Sequence, residues 1–116
     1  MRFPALSHGR LAAFLLASAL LPSLAAAAEP PPVFVLNSLD ATVSVIDPVS
    51  WTEKQRIATG KEPHHLYLTP DEQSLIVANS AGDSLTFLNP RTAEVQRVVY
   101  GIIDPYQLQF SRDMKW

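Results

Sequence analysis

Beyond residue 32 the chain is a succession of short apolar runs cut by polar turns. Val33 to Asn37 is compact and apolar, and Thr42 to Asp47 sets Val43 and Val45 against Thr42, Ser44 and Ile46. Such β-branched runs fit a pleated surface, so both read as strands. Ser38 to Ala41 lies between them as a turn. The pair returns at Leu75–Asn79 and Ser84–Asn89 around Ser80-Ala81-Gly82-Asp83, where the glycine is expected to take a positive φ. Two hairpins follow. Asp47-Pro48 and Asn89-Pro90 end the second strand of each, because Asp and Asn bond to nearby backbone and proline presets the next φ. Further strands are predicted over Glu53–Ala58, His65–Thr69, Glu94–Tyr100 and Gln107–Ser111. Outside the first 28 residues nothing sustains a helical period.

These elements repeat. Val35-Leu36-Asn37-Ser38 answers to Val77-Ala78-Asn79-Ser80, and Thr42-Val43-Ser44-Val45-Ile46-Asp47-Pro48 to Ser84-Leu85-Thr86-Phe87-Leu88-Asn89-Pro90. Pro63, Leu66 and Asp71 recur as Pro105, Leu108 and Asp113, each pair 42 positions apart (105 minus 63). A period of about 40 to 45 residues built from short strands is the mark of propeller blades. Leu75-Ile76-Val77-Ala78 and Arg97-Val98-Val99-Tyr100 are apolar toward both faces, as strands covered from both sides are. The fold class is therefore all-β, with antiparallel four-stranded blades of a β-propeller. A two-sheet sandwich is the alternative. Residues 33–74 form one repeat and 75–116 the next, an incomplete ring. A third copy starts at Gln107 and stops short of its next strand, as expected of a partial chain.

Composition adds compartment. Arg2 and Arg10, the apolar run Leu11 to Leu21 and the small residues Ala25 to Ala28 read as a secretory signal peptide over residues 1–28, cleaved after Ala28 or Ala26. The run is shorter than the roughly 20 residues a membrane span needs. Glu29-Pro30-Pro31-Pro32 is a stiff lead-in. The expected location is periplasmic or secreted, with no stable membrane anchor after cleavage. No cysteine is present, which excludes disulfides, thiolate ligands, thiol catalysis and a lipid anchor at the cleavage site. After cleavage seven Lys and Arg face eleven Asp and Glu, a net charge near −4. The scattered basic residues offer nucleic acid no patch.

Val35-Leu36-Asn37-Ser38, Thr42-Val43-Ser44-Val45-Ile46-Asp47, Gly60-Lys61-Glu62-Pro63-His64 and Thr69-Pro70-Asp71 together resemble the YVTN family of β-propeller repeats. The resemblance covers nearly all of the chain after the signal peptide. It implies that the Gly-x-x-Pro-His turn leads into the innermost strand of a blade, with His65–Thr69 and Gln107–Ser111 as innermost strands. The first blade then lacks its own innermost strand, which in such rings the far C-terminus commonly supplies. Departures stand at Leu36 and Ala78, at the turns before Gln73 and Lys115, which lack the usual glycine, and at Tyr106, where histidine is the rule.

In that register His64 and His65 sit at the mouth of the central channel, where histidine can ligate or carry protons. His64 also belongs to the family's packing motif, and both readings stand. Neighbouring strand residues point to opposite faces, so the two imidazoles do not grip one metal together. Asp104 and Tyr106 hold the same place one repeat later, either as part of a polar rim or as a solvated, proline-fixed turn. Asn37 and Asn79 are expected to stabilise turns. Asp40 and Asp83 lie in the adjacent hairpin loops without a dense calcium loop. No nucleophile elbow, phosphate loop or zinc helix motif occurs.

The absence of a complete catalytic set favours a non-enzymatic binding or scaffold module. Its partner would be a protein, glycan or small ligand at the channel mouth. The alternatives are a propeller enzyme or cofactor carrier, similar to lactonases or to d-type-haem proteins of nitrite reduction with His64 or His65 as base or axial ligand, and a structural cell-surface repeat.

Overall fold

The computed structural model describes residues 29–115, arranged as two antiparallel sheets. The signal peptide expected over residues 1–28 lies outside them. The first sheet has three strands in the order β1 (Val33–Asn37), β2 (Thr42–Ile46), β3 (Glu53–Ala58). The second has four, β4 (Pro63–Leu68), β5 (Leu75–Asn79), β6 (Ser84–Leu88) and β7 (Val95–Tyr100), again in chain order. The sheets are open blades of a β-propeller, and among the described residues they close no ring.

The repeat persists in the register. Val33 opposes Ile46 and Asn37 opposes Thr42 in the first hairpin, while Leu75 opposes Leu88 and Asn79 opposes Ser84 in the second. The outer pairings slip at matching places, between Val45 and Ile46 and between Phe87 and Leu88. Two strand expectations need correction. β4 begins at Pro63 instead of His65, with an irregularity at His64. Gln107–Ser111 forms no strand, because a strand exists only with a ladder partner and no second strand follows it among the described residues.

Backbone angles carry the same period. Among the described residues, all eight non-glycine residues with left-handed φ form four pairs, Ala41 with Asp83, Trp51 with Ala93, Glu62 with Asp104 and Glu72 with Met114. Each pair is 42 residues apart (83 minus 41, for example). The hairpin turns are therefore not built as the sequence suggested. A short 3-10 turn spans Ser38–Asp40 or Ser80–Gly82, and the left-handed residue is Ala41 or Asp83, not Gly82. Gly82 is there for room, since a Cβ on it would lie 2.6 Å from the backbone nitrogen of Lys61.

Glu72 (φ 56°) takes the place where the turn most easily accepts glycine. Left-handed φ crowds a Cβ against the backbone, so Glu72→Gly is expected to stabilise the chain by about 0.5–1 kcal/mol net of glycine's entropy. A raised urea midpoint at constant slope is the measurement.

The two blades share one core. Val43, Val45 and Ile57 of the first meet Leu75, Val77, Leu88 and Ala93 of the second, with Phe34, Leu36 and Leu66 packed against them. Beneath each hairpin turn an asparagine is bonded across the sheet. Asn37 donates to the hydroxyls of Thr42 (3.1 Å) and Ser44 (2.8 Å), and the fully buried Asn79 donates to those of Ser84 (3.2 Å) and Thr86 (3.0 Å). These residues join strands; neither caps the backbone of its 3-10 turn.

The far turns rely on carboxylates. Asp47 accepts the N–H groups of Val49 and Ser50 and pairs with Lys54 at 3.0 Å. Ser50 N–H first, then Lys54 and Val49, hold its carboxyl well below the ordinary range. The Thr69 hydroxyl and Gln73 N–H lower Asp71, and the Ser111 hydroxyl and Lys115 N–H lower Asp113. Arg56, followed by the Ser44 hydroxyl, lowers Glu53. A depressed folded-state pKa gives stability that is full above the unfolded value, about 4, and is lost as pH falls through the folded value. Stability is thus expected to decline below about pH 4, without a matching loss toward pH 8 from these groups. Urea titrations across pH 2 to 8, a range set by the roughly pH 4 carboxylate value, check this; a flat profile below pH 4 counts against it.

Candidate binding rim

Strand direction places the candidates. Because neighbouring strands are antiparallel, the Ser80–Asp83 turn and the segments entering β4 and residues 107–111 share one end, while Thr69–Ser74 and Asn89–Glu94 share the other. At the first end the left-handed hairpin residues tie down the incoming chain. The Ala41 carbonyl accepts from Thr59 N–H at 2.9 Å. The Asp83 carbonyl accepts from Gly101 N–H (3.0 Å) and Ile102 N–H (3.2 Å), and its carboxylate from Asp104 N–H at 3.0 Å. Asp83 thereby organises the loop, and Asp40 lies 3.7 Å from Arg56. Ser80 accordingly bonds twice to the Glu62 carbonyl, and the Ser38 hydroxyl donates to that of Pro63 at 2.7 Å.

These anchors bring His64 and Tyr106 together. Their ring centroids are 3.8 Å apart, with planes tilted by 32°. Both rings are exposed, Tyr106 by 61%. Pro63 and Pro105, which precede them by one residue, are both buried, so each ring stands on a fixed base. His65 turns elsewhere. It faces Tyr67 at 6.4 Å, and Tyr67 in turn meets Phe110 at 5.3 Å. The adjacent histidines thus have different aromatic partners. Asp104 is exposed, its backbone in the left-handed region (φ 44°).

The rim therefore unites His64 with Tyr106 and sets His65 on a neighbouring aromatic line. Sequence reasoning missed Tyr67 and Phe110; their spacing from His65 and from Tyr106 along innermost-strand sequences was the available signal. The side chains of His64, Asp104 and Tyr106 make no hydrogen bond among the described residues, so imidazole, carboxylate and phenol all remain available to a ligand. No group of three or more metal-ligating side chains occurs among the described residues.

A cleft of about 530 Å³ opens instead at the opposite end, between the proline lead-in, Ile46, Asp47, Lys54 and Arg91. Two of its lining groups, Asp47 and Lys54, form an ion pair at 3.0 Å. The cleft lies at the end away from His64, Asp104 and Tyr106.

Residues 4–116 match the family model of the YNCE-like beta-propeller. The chain belongs to this family. Among solved structures, this YNCE-like chain is similar to the hydrazine synthase of Kuenenia stuttgartiensis, with 21% identity, a TM-score of 0.61, and coverage of 72% of this chain and 24% of that one. It also matches the periplasmic gluconolactonase of Pseudomonas aeruginosa at 19% identity and a TM-score of 0.42, covering 68% of this chain and 27% of that one. The first likeness bears on the fold, and the second is too loose to add to it. The chain spans about a quarter of the length of either structure. A search of curated proteins gave no match. Among the described residues no helix is long and apolar enough to cross a membrane.

Proposed function

We propose that this YNCE-like propeller, built of YVTN-type repeats, is exported to the periplasm or beyond as a non-enzymatic binding module. Its ligand, a protein, glycan or small polar molecule, meets the rim of His64, Tyr106 and Asp104. The observation that carries the reading is the His64–Tyr106 ring contact at 3.8 Å on an exposed end, with the polar atoms of both side chains unbonded among the described residues. A flat aromatic face beside hydrogen-bonding groups suits a ligand with both apolar and polar sides. Export is supported by the signal-like first 28 residues.

The test uses the purified chain with δ-gluconolactone, nitrite and haem as probes. Neither turnover nor a haem absorption band dependent on His64 is expected. Lactone hydrolysis, or a haem band lost in His64→Ala, would overturn the binding-module reading in favour of an enzyme or cofactor carrier. Binding itself is read by NMR of the His64 and Tyr106 ring protons against a panel of neutral oligosaccharides and short peptides. Shifts confined to the rim and abolished by Tyr106→Ala support the site.

A further inference from the structure

The two blades differ in the polar layer built on their asparagines. In the first, Asn37 donates to the Ser44 hydroxyl at 2.8 Å, and that hydroxyl donates in turn to Glu53 Oε2 at 2.7 Å. Arg56, at 2.9 Å, balances the carboxylate. The counterparts in the second blade, 42 residues on (95 minus 53, for example), are Asn79, Thr86, Val95 and Val98. Asn79 still donates to Thr86 at 3.0 Å, but valine stands in place of both the acceptor and its cation. The strand pairing is unchanged, with Ser44 opposite Arg56 in one blade and Thr86 opposite Val98 in the other.

A hydroxyl has one proton to give. Ser84 and Thr86 both accept from Asn79, and among the described residues neither donates to a partner. Asn79 does not take their protons back, since its Oδ1 has no partner either. Each hydroxyl residue is only 1% exposed, so bulk water does little for it. Beside them a cavity of about 200 Å³ is bordered by Ser84, Thr86, Val95, Val98 and Tyr100 on one side and by residues 58–60 on the other. Thr86 opposes Val77 on the blade face that packs against Val43, Val45 and Ile57. Both walls thus lie inside the contact between two described blades. The Thr59 hydroxyl is already spent on the Gly60 carbonyl at 3.1 Å, and no charged side chain lines the cavity among the described residues.

We propose that this cavity between the blades binds a small uncharged molecule with a hydrogen-bond acceptor, a ketone, ester or amide oxygen, on an apolar body. The oxygen accepts from the Thr86 hydroxyl as Glu53 accepts from Ser44, and the body lies against Val95 and Val98. The comparison between blades also sets the charge. Glu53 is balanced by Arg56, whereas Val98 offers a carboxylate nothing, and a charge taken from water without a partner costs more than one hydrogen bond returns. A benzene-sized ligand fits a cavity of about 150 Å³, so this one has room for roughly six to eight non-hydrogen atoms. The site shares no lining residue with the rim of His64, Asp104 and Tyr106 and stands apart from the function proposed there.

The test titrates cyclopentanone and cyclopentanecarboxylate into the full chain, read by NMR of the Ala58, Thr86, Val95 and Val98 methyl groups. Cyclopentanone should shift these methyls saturably, and the carboxylate should bind more weakly by roughly tenfold or more. Thr86→Val keeps the shape of the side chain and removes the donor, so it should weaken ketone binding roughly fivefold. A double variant, Val95→Glu with Val98→Arg, installs the first blade's pair at positions that are 48% and 37% exposed. It should fill the acceptor's place from within and abolish the ketone's shifts at Ala58 and Thr86. Circular dichroism checks that both variants are folded; should Thr86→Val not fold, the double variant decides alone. No saturable shift with cyclopentanone, equal binding of the two probes, or undiminished ketone binding in either folded variant overturns the proposal.

Discussion

Gly60→Ala is expected to lower stability by about 2–3 kcal/mol, at the upper end for overpacking a tight site. A Cβ built on Gly60 lies 2.7 Å from Asn79 Cβ, 2.7 Å from Ser84 Oγ and 2.8 Å from Asn79 Cγ. None of these is the free end of a flexible side chain. Asn79 is fully buried and holds the Ser84 and Thr86 hydroxyls, so moving it away breaks the bonds that join β5 to β6. Gly101→Ala supplies the control. A Cβ there meets nothing within 4 Å, and only its φ of +81° resists the change, at a cost of about 1–2 kcal/mol. Urea unfolding of both variants should rank Gly60→Ala as the more damaging. The reverse order would show that the Asn79 layer yields easily.

Leu88→Ala is expected to be costlier still, about 2–5 kcal/mol, through lost burial and the cavity left behind. Leu88 has no exposed surface, and it stands in the cluster where both blades meet, so its removal weakens the packing between sheets as well as within one. Leu39, 99% exposed on the first hairpin turn, gives the comparison. Leu39→Ala should stay within about 0.5 kcal/mol of the parent. Comparable losses for the two leucines would mean that the contact between the blades contributes little.

Strand positions were legible because β-branched density and the Asp-Pro and Asn-Pro stops are local signals. The second-blade hairpin, Leu75–Asn79 with Ser84 onward, appeared within one residue of its predicted limits. What was not legible depended on partners. Gln107–Ser111 holds the repeat position of β4 but has no strand to pair with among the described residues, and pairing is not a property of a segment alone. The role of Gly82 was misread for a similar reason, since the space it leaves for Lys61 belongs to a different loop. At the rim, the repeat placed His64 and Tyr106 at equivalent positions, and the structure then brought these rings into contact. Equivalence in a repeat says that two residues occupy neighbouring blades. Whether they touch depends on the Asp83 and Ala41 anchors, whose carbonyl contacts have no sequence signature.

The turn after the second hairpin strand is made by Asp47 in one blade and by Asn89 in the other. Each accepts two backbone N–H bonds with its side-chain oxygen, at 2.8 and 2.9 Å in one and 2.8 and 3.0 Å in the other. The geometry is shared but the chemistry is not, because only the carboxylate takes up a proton. Acid therefore distinguishes two turns built on the same pair of backbone bonds. As pH falls, this corner of the first blade should open to hydrogen exchange while the Asn89 corner stays shut, giving a symmetric pair of blades a preferred order of coming apart.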